Sequence, residues 1–196
     1  MSSSSLDSLV AELRPLSAAD FVPLPPPAPA PKPAAPAKPA APAADGQPAP
    51  APAPTPAAPP PPPPPEPIAV CDFAARGVHL EAVIRPECVV DAARILDRAG
   101  YAIDAVTGMD WLAQGLMEVI YDFVHFQSGL RVAVRARLPR DNPSILSIHT
   151  VFAGADWHER ETHDMFGITF VGNPNQSPFL LPDDADYHPL RKDFKA

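Results

Sequence analysis

The sequence predicts a two-layer α+β domain: a mostly antiparallel sheet with helices on one face, preceded by a disordered Ala/Pro-rich linker. Three observations carry this. Runs that alternate apolar and polar residues stand at 78–84 and on both sides of Ser128-Gly129, as half-buried strands require. Stretches with apolar residues three and four apart lie between and after them, each closed by a glycine. The prolines, 31 of 196 residues, crowd before residue 68 and leave the remainder to form one ordinary domain.

Residues 1–21 are expected to hold a short amphipathic helix over Ser5–Leu16. Leu6, Leu9, Val10 and Leu13 form one apolar stripe, and Ser5 is a plausible N-cap. A helix this short is marginal alone in water, so it either frays or docks. Residues 22–67 are almost all Ala and Pro, a composition that favours polyproline II and cannot build a core. Such a spacer reaches on the order of 140 Å at most.

The domain occupies residues 68–196. Val78, Leu80, Ala82 and Ile84 alternate with His79, Glu81 and Val83 as a strand. Pro86 opens a helix with Val89, Val90, Ala93 and Leu96 on one face and Gly100 as its stop. Tyr101–Thr107 reads as a second strand. Leu116–Phe126 and Leu130–Leu138 read as a hairpin around Ser128-Gly129, in a register that sets Gln127 opposite Leu130, Asp122 opposite Arg135 and Phe123 opposite Val134. A short strand follows at Ile145–Ile148, then a helix over Thr150–Phe166 closed by Gly167. From about 171 to 196 the chain reads as an extended tail.

A formal charge of −8 without a basic cluster argues against nucleic acid and anionic membranes as direct partners. No apolar run has the length of a membrane span, and residues 1–20 lack the pattern of a secretory signal. The two cysteines, Cys71 and Cys88, are too few and too far apart to hold an iron–sulfur cluster or a structural zinc alone.

The most unusual stretch is Trp157–Gly167, WHERETHDMFG, with Glu159, Arg160, Glu161 and Asp164 inside six positions. On a helix, Arg160 and Asp164 are i,i+4 neighbours, as are Glu159 and His163, so ordinary ion pairs on a solvated face are one expectation. His158 and His163 are five residues apart, about 140° around a helix, so they do not form the HExxH zinc motif. No Gly-rich phosphate loop and no GxSxG elbow occurs. The C-terminal Tyr187–Phe194 alternates apolar anchors with basic residues beside Pro189. Such a segment can lie along a partner with Leu190 and Phe194 in pockets and Arg191 on a carboxylate.

Together these segments resemble the C-type (30 kDa-type) subunit family of proton-pumping NADH:quinone oxidoreductase, the respiratory complex I, a module shared with energy-converting nickel–iron hydrogenases. The residues concerned are Glu159-Arg160-Glu161, Asp164, Phe166-Gly167-Ile168, Gly172-x-Pro174, Leu180–Asp184 and His188–Phe194. The resemblance implies a non-catalytic subunit of the peripheral arm, with no active site and no cofactor of its own. It implies a partner interface formed by Glu159, Arg160, Glu161, Asp164, Phe166, Gly167, His188, Pro189, Leu190, Arg191, Lys192 and Phe194. The partners would be the large catalytic subunit, bearing the quinone site or nickel–iron, and the iron–sulfur subunits. Iron–sulfur clusters, and flavin or nickel–iron, are expected in those partners, and the chain is expected at the cytoplasmic face of the membrane, held there through the complex alone. Many relatives carry Gly-His-Pro and then paired arginines, whereas here Asn173 replaces the His and residues 175–179 hold no Arg, at positions expected to meet the partner. Two other readings stand beside this one: the equivalent subunit of a hydrogenase, and a soluble Pro-rich adaptor.

Overall fold

The computed structural model describes residues 3–18, 66–175 and 177–195. All but the end of the Ala/Pro segment expected over 22–67 lies outside these residues.

The elements are α1 (Ser3–Leu13), β1 (Ile68–Val70), the single-turn α2 (Phe73–Arg76), β2 (Leu80–Ile84), α3 (Val89–Arg98), β3 (Ala102–Trp111), β4 (Leu116–His125), β5 (Leu130–Pro139), β6 (Ser144–Leu146), α4 (Ala155–Phe166) and β7 (Thr169–Val171). Five strands form one sheet in the order β1-β2-β5-β4-β3. Three of its pairings are antiparallel. β2 and β5 run parallel, because the chain crosses over through α3 before the β3-β4-β5 meander returns beside β2. β6 and β7 form a separate short parallel pair. This is the predicted α+β class.

One sheet face is apolar. Leu80, Ala82 and Ile84 of β2, Met117, Val119, Tyr121 and Phe123 of β4, and Val132, Val134, Ala136 and Leu138 of β5 are buried with the apolar side of α3. The other face carries charge. There Glu118, itself buried, takes hydrogen bonds from Arg135, Arg137 and the Trp111 indole, and Arg135 reaches on to Glu81. A buried carboxylate is tolerable only with donors around it, and Glu118 has three.

α1 docks. Leu9 and Leu13 are buried in the core, Leu6, Val10 and Leu16 pack against it, and Glu12 meets Arg98 of α3. The helix starts at Ser3, so Ser5 lies inside its first turn instead of capping it. Behind it, Leu16 accepts from the Arg85 N–H (3.0 Å) and Ala18 donates to the Val83 carbonyl (3.1 Å), while Val83 donates to Pro67 (2.6 Å). Ala18 and Pro67 therefore meet the edge of β2 at the same residue. The two flanks of the Ala/Pro segment stand side by side on one domain.

The hairpin differs from expectation in register. Four residues, Phe126–Gly129, make the turn, and His125 faces Leu130. His125 O accepts both the Ser128 and Gly129 N–H groups, and Gly129 takes φ +71°. The pairing thus slides by two from the predicted one: Phe123 faces Val132, and Asp122 faces Ala133. A shift of two keeps every side chain on its predicted face, where a shift of one would have inverted the sheet. Arg135 consequently bonds Glu118 and Glu81, not Asp122. β3 also ends four residues later than predicted, with a bulge at Asp104 that irregularises this edge strand. α4 begins five residues later, because the Ile148 carbonyl takes the Val151 and Phe152 N–H groups in a tight turn before it.

If α1 is part of the fold, Leu13→Ala leaves a core cavity and costs about 2–5 kcal/mol in urea unfolding. A frayed helix would leave the midpoint unchanged.

Candidate functional site

The site is α4 with the chain that follows it. α4 lies across β3, where Thr162 donates to the Val106 carbonyl (3.2 Å) and the Phe166 ring sits over Gly108. A Cβ at residue 108 would stand 2.5 Å from that ring, so the strand must present glycine there.

The charged residues of α4 do not form the expected ion pairs. Glu159 is fully buried and accepts from Ser147 Oγ (2.5 Å), the Ile148 N–H (2.9 Å) and Asn173 Nδ2 (2.9 Å). It ties the turn before α4 to the chain after β7. Burial pushes its carboxyl above the usual range, against the pull of these donors. Asn173 is therefore an inward strut, bonded within the chain. Asp164 is 3% exposed and bonds the N–H groups of Phe179, Leu180 and Leu181 at 2.8, 2.6 and 3.1 Å through one oxygen. Burial opposes its charge, but these donors hold its carboxyl below the usual range. His163 Nδ1 lies 2.9 Å from the Ile168 carbonyl, so it is bound away from Glu159.

The helix end explains the C-terminal motif. The last four carbonyls of a helix have no partner within it. Here all four are met: His163 O by the Gly167 N–H (2.7 Å), Asp164 O by His188 Nδ1 (2.8 Å), Met165 O by the Leu190 N–H (3.1 Å), and Phe166 O by Arg191 Nε (2.7 Å). The Arg191 cation also suits the negative end of the helix dipole. Gly167 has φ +71°, and a Cβ there would press into His188 and Arg191. Beyond the cap, buried Asp110 holds Arg140 at 2.8 and 3.0 Å and the Lys192 N–H at 2.8 Å, and Arg140 bonds Asp193. Burial opposes the Asp110 charge, but Arg140 and the Lys192 N–H keep its carboxyl below the usual range.

Of the residues singled out from sequence, Glu159, Asp164, Phe166, Gly167, His188 and Arg191 thus bind the chain to itself. Arg191 meets a carbonyl where a carboxylate was expected. Glu161 and Lys192 are exposed, Pro189 is half-buried, and Leu190 and Phe194 present side chains outward, Phe194 stacked on Tyr187 with 5.7 Å between centroids. Arg160 lies against the rings of Trp157 and Phe179, which also touch each other. Sequence reasoning missed Asp110, Arg140, Ser147 and Gly108. An acid within a strand-forming run was the one available signal for Asp110.

No group of three or more His, Cys, Asp or Glu able to hold a metal occurs among the described residues. No helix among them is long and apolar enough to cross a membrane.

Asp164→Ala strands three backbone donors and is expected to cost about 2–4 kcal/mol at neutral pH. It should speed amide exchange at Phe179, Leu180 and Leu181. Because the folded carboxyl titrates below its unfolded value, its contribution is present above the ordinary carboxylate range and lost as pH falls through the folded value. The stability gap between wild type and variant should close over that acid range and nowhere above it. Gly167→Ala, strained in φ and in contact, should expose residues 177–194 to limited proteolysis.

The family described as respiratory-chain NADH dehydrogenase, 30 Kd subunit, matches residues 82–196. The C-type subunit of NADH-quinone oxidoreductase from Roseiflexus sp. (strain RS-1) is 38% identical over 119 residues, covering 58% of this chain and 68% of that protein. The C-type subunit of F(420)H(2) dehydrogenase from Methanosarcina mazei is 38% identical over 93 residues, covering 47% and 59%. Among solved structures, a chain of the membrane-bound sulfane sulfur reductase, an archaeal respiratory membrane complex, is similar with a TM-score of 0.55 and 27% identity, covering 59% of this chain and 71% of that one. The match takes in every element from β2 to the locked tail, and the chain belongs to the respiratory-chain NADH dehydrogenase 30 kDa subunit family: it is the C-type subunit of NADH-quinone oxidoreductase, a peripheral-arm component of a multi-subunit respiratory complex.

Proposed function

We propose that the outer side of α4 and residues 177–194 dock on the large catalytic subunit of the complex, and that the chain stabilises that subunit without adding chemistry. The observation that supports this is that half of the large exposed apolar side chains among the described residues lie there. Trp157 (55% exposed), Leu180 (54%) and Leu190 (52%), with Phe179, Tyr187 and Phe194, all belong to α4 or the segment strapped to it. Clustered exposed apolar groups on a folded surface mark an interaction site. Here the backbone beneath them is held by Asp164, by the helix cap and by Asp110, so little order remains to be gained on binding. The association with iron–sulfur subunits, and a position at the cytoplasmic face of the membrane through the complex alone, belong to the same reading.

The test is affinity recovery of the tagged chain from gently solubilised membranes, with partners identified by mass spectrometry. Wild type should bring down a large redox subunit and iron–sulfur proteins. Arg160→Ala and Leu190→Ala should lower the yield of complex severalfold, with unchanged activity per assembled complex. Recovery of the chain without a large redox subunit would overturn the docking proposal.

A further inference from the structure

Arg160 is built to receive something. Its guanidinium carbon stands 5.3 Å from the Trp157 ring centroid and 4.9 Å from that of Phe179, and the two rings pack edge to face at 5.0 Å. The aromatic faces fix the guanidinium plane and remove part of its hydration. Its own polar contacts are few. One Nη reaches the Pro178 carbonyl at 3.5 Å, and Nε is shut off from solvent with no acceptor. Among the described residues Arg160 forms no ion pair. Asp164, its expected partner one turn on, is taken by the backbone of residues 179–181. Asp156, one turn back, lies beyond ion-pair distance and has a buried oxygen of its own without a donor.

We infer that the Trp157–Arg160–Phe179 clamp receives a carboxylate side chain, an Asp or Glu set among apolar residues of the neighbouring subunit. The inference rests on the docking reading above and names the chemistry of its contact. A guanidinium presents parallel N–H donors that match a carboxylate two for two, a geometry that a single carbonyl cannot fill. The Trp157, Phe179 and Leu180 side chains around it would exclude water as the surfaces close, which strengthens a matched charge pair and penalises an unmatched one. In a chain of net charge −8, a lone cation inside an apolar rim also gives the face a register that bulk charge does not.

Two measurements on the assembled complex test this. The first compares Arg160→Lys and Arg160→Gln, checking by thermal unfolding that both fold. Arg160→Gln should lower complex yield about tenfold or more, as truncating one partner of an enclosed charge pair does, and Arg160→Lys should retain a measurable part of it. Equal losses, or no loss in Arg160→Gln, overturn the inference. The second treats the R160K complex with a zero-length carbodiimide, which joins an amine to a carboxylate in contact with it. The expected product is a cross-link from position 160 to an Asp or Glu of the partner subunit. A complex that forms but couples position 160 only to Asp156, or to nothing, overturns the carboxylate while leaving docking intact. If the wild-type chain recovers no partner at all, both readings fall together.

Discussion

The C-terminal end of α4 is the constraint on which the rest of this site depends. A helix that ends in the interior of a small domain leaves carbonyls that neither the helix nor water can satisfy. This chain satisfies them with its own tail, and Gly167 is what makes that possible. Its left-handed conformation turns the chain away, and its missing side chain leaves room for His188 and Arg191. The sequence Phe166-Gly167 and the sequence His188-Pro189-Leu190-Arg191 are thus two halves of one cap.

The same logic governs the acidic residues. A carboxylate buried in a protein must be surrounded by donors or give up its charge. Asp110 and Asp164 have donors enough. Asp110 takes Arg140 and a backbone N–H, and Asp164 takes three N–H groups of a segment with no strand or helix to bond in. Asp164 therefore orders residues 179–181, as a strand partner would elsewhere. Glu159 is the more deeply placed, and burial prevails over its donors. The acids of α4 that look like a solvated face in one dimension are, in three, the internal fastenings of the C-terminal segment.

How much of this was legible in the sequence follows from the range of each interaction. The class of fold, the three helices α1, α3 and α4, and the strand faces came from local periodicity, which needs no knowledge of what lies across the sheet. The hairpin register failed because it depends on the turn, and a four-residue turn closed on the His125 carbonyl is no less compatible with Ser128-Gly129 than a two-residue one. The start of α4 failed because Val151 and Ala155 have helical spacing, yet Val151 and Phe152 donate to the Ile148 carbonyl in a turn before the helix. The ion pairs expected within α4 failed for a different reason. Residues four apart on a helix are neighbours only if nothing else claims them, and backbone groups from residues 148 and 179–181 claimed Glu159 and Asp164 first. The motif was recognisable as a unit, yet the division of its residues between internal cap and outward surface required the tail to be seen in place.

That division bears on the docking proposed for this subunit. Ordering a tail upon binding would set its conformational entropy against affinity. Here residues 179–181, 188 and 190–192 are bonded before any partner arrives, through acceptors supplied by α4 and β3. What remains outward is side chain: aromatic rings, two leucines and one clamped guanidinium. A surface made this way gains little order on docking, so the apolar area it covers converts more fully into affinity. On the proposed docking, the buried acids serve recognition indirectly, by holding still the backbone that carries those side chains.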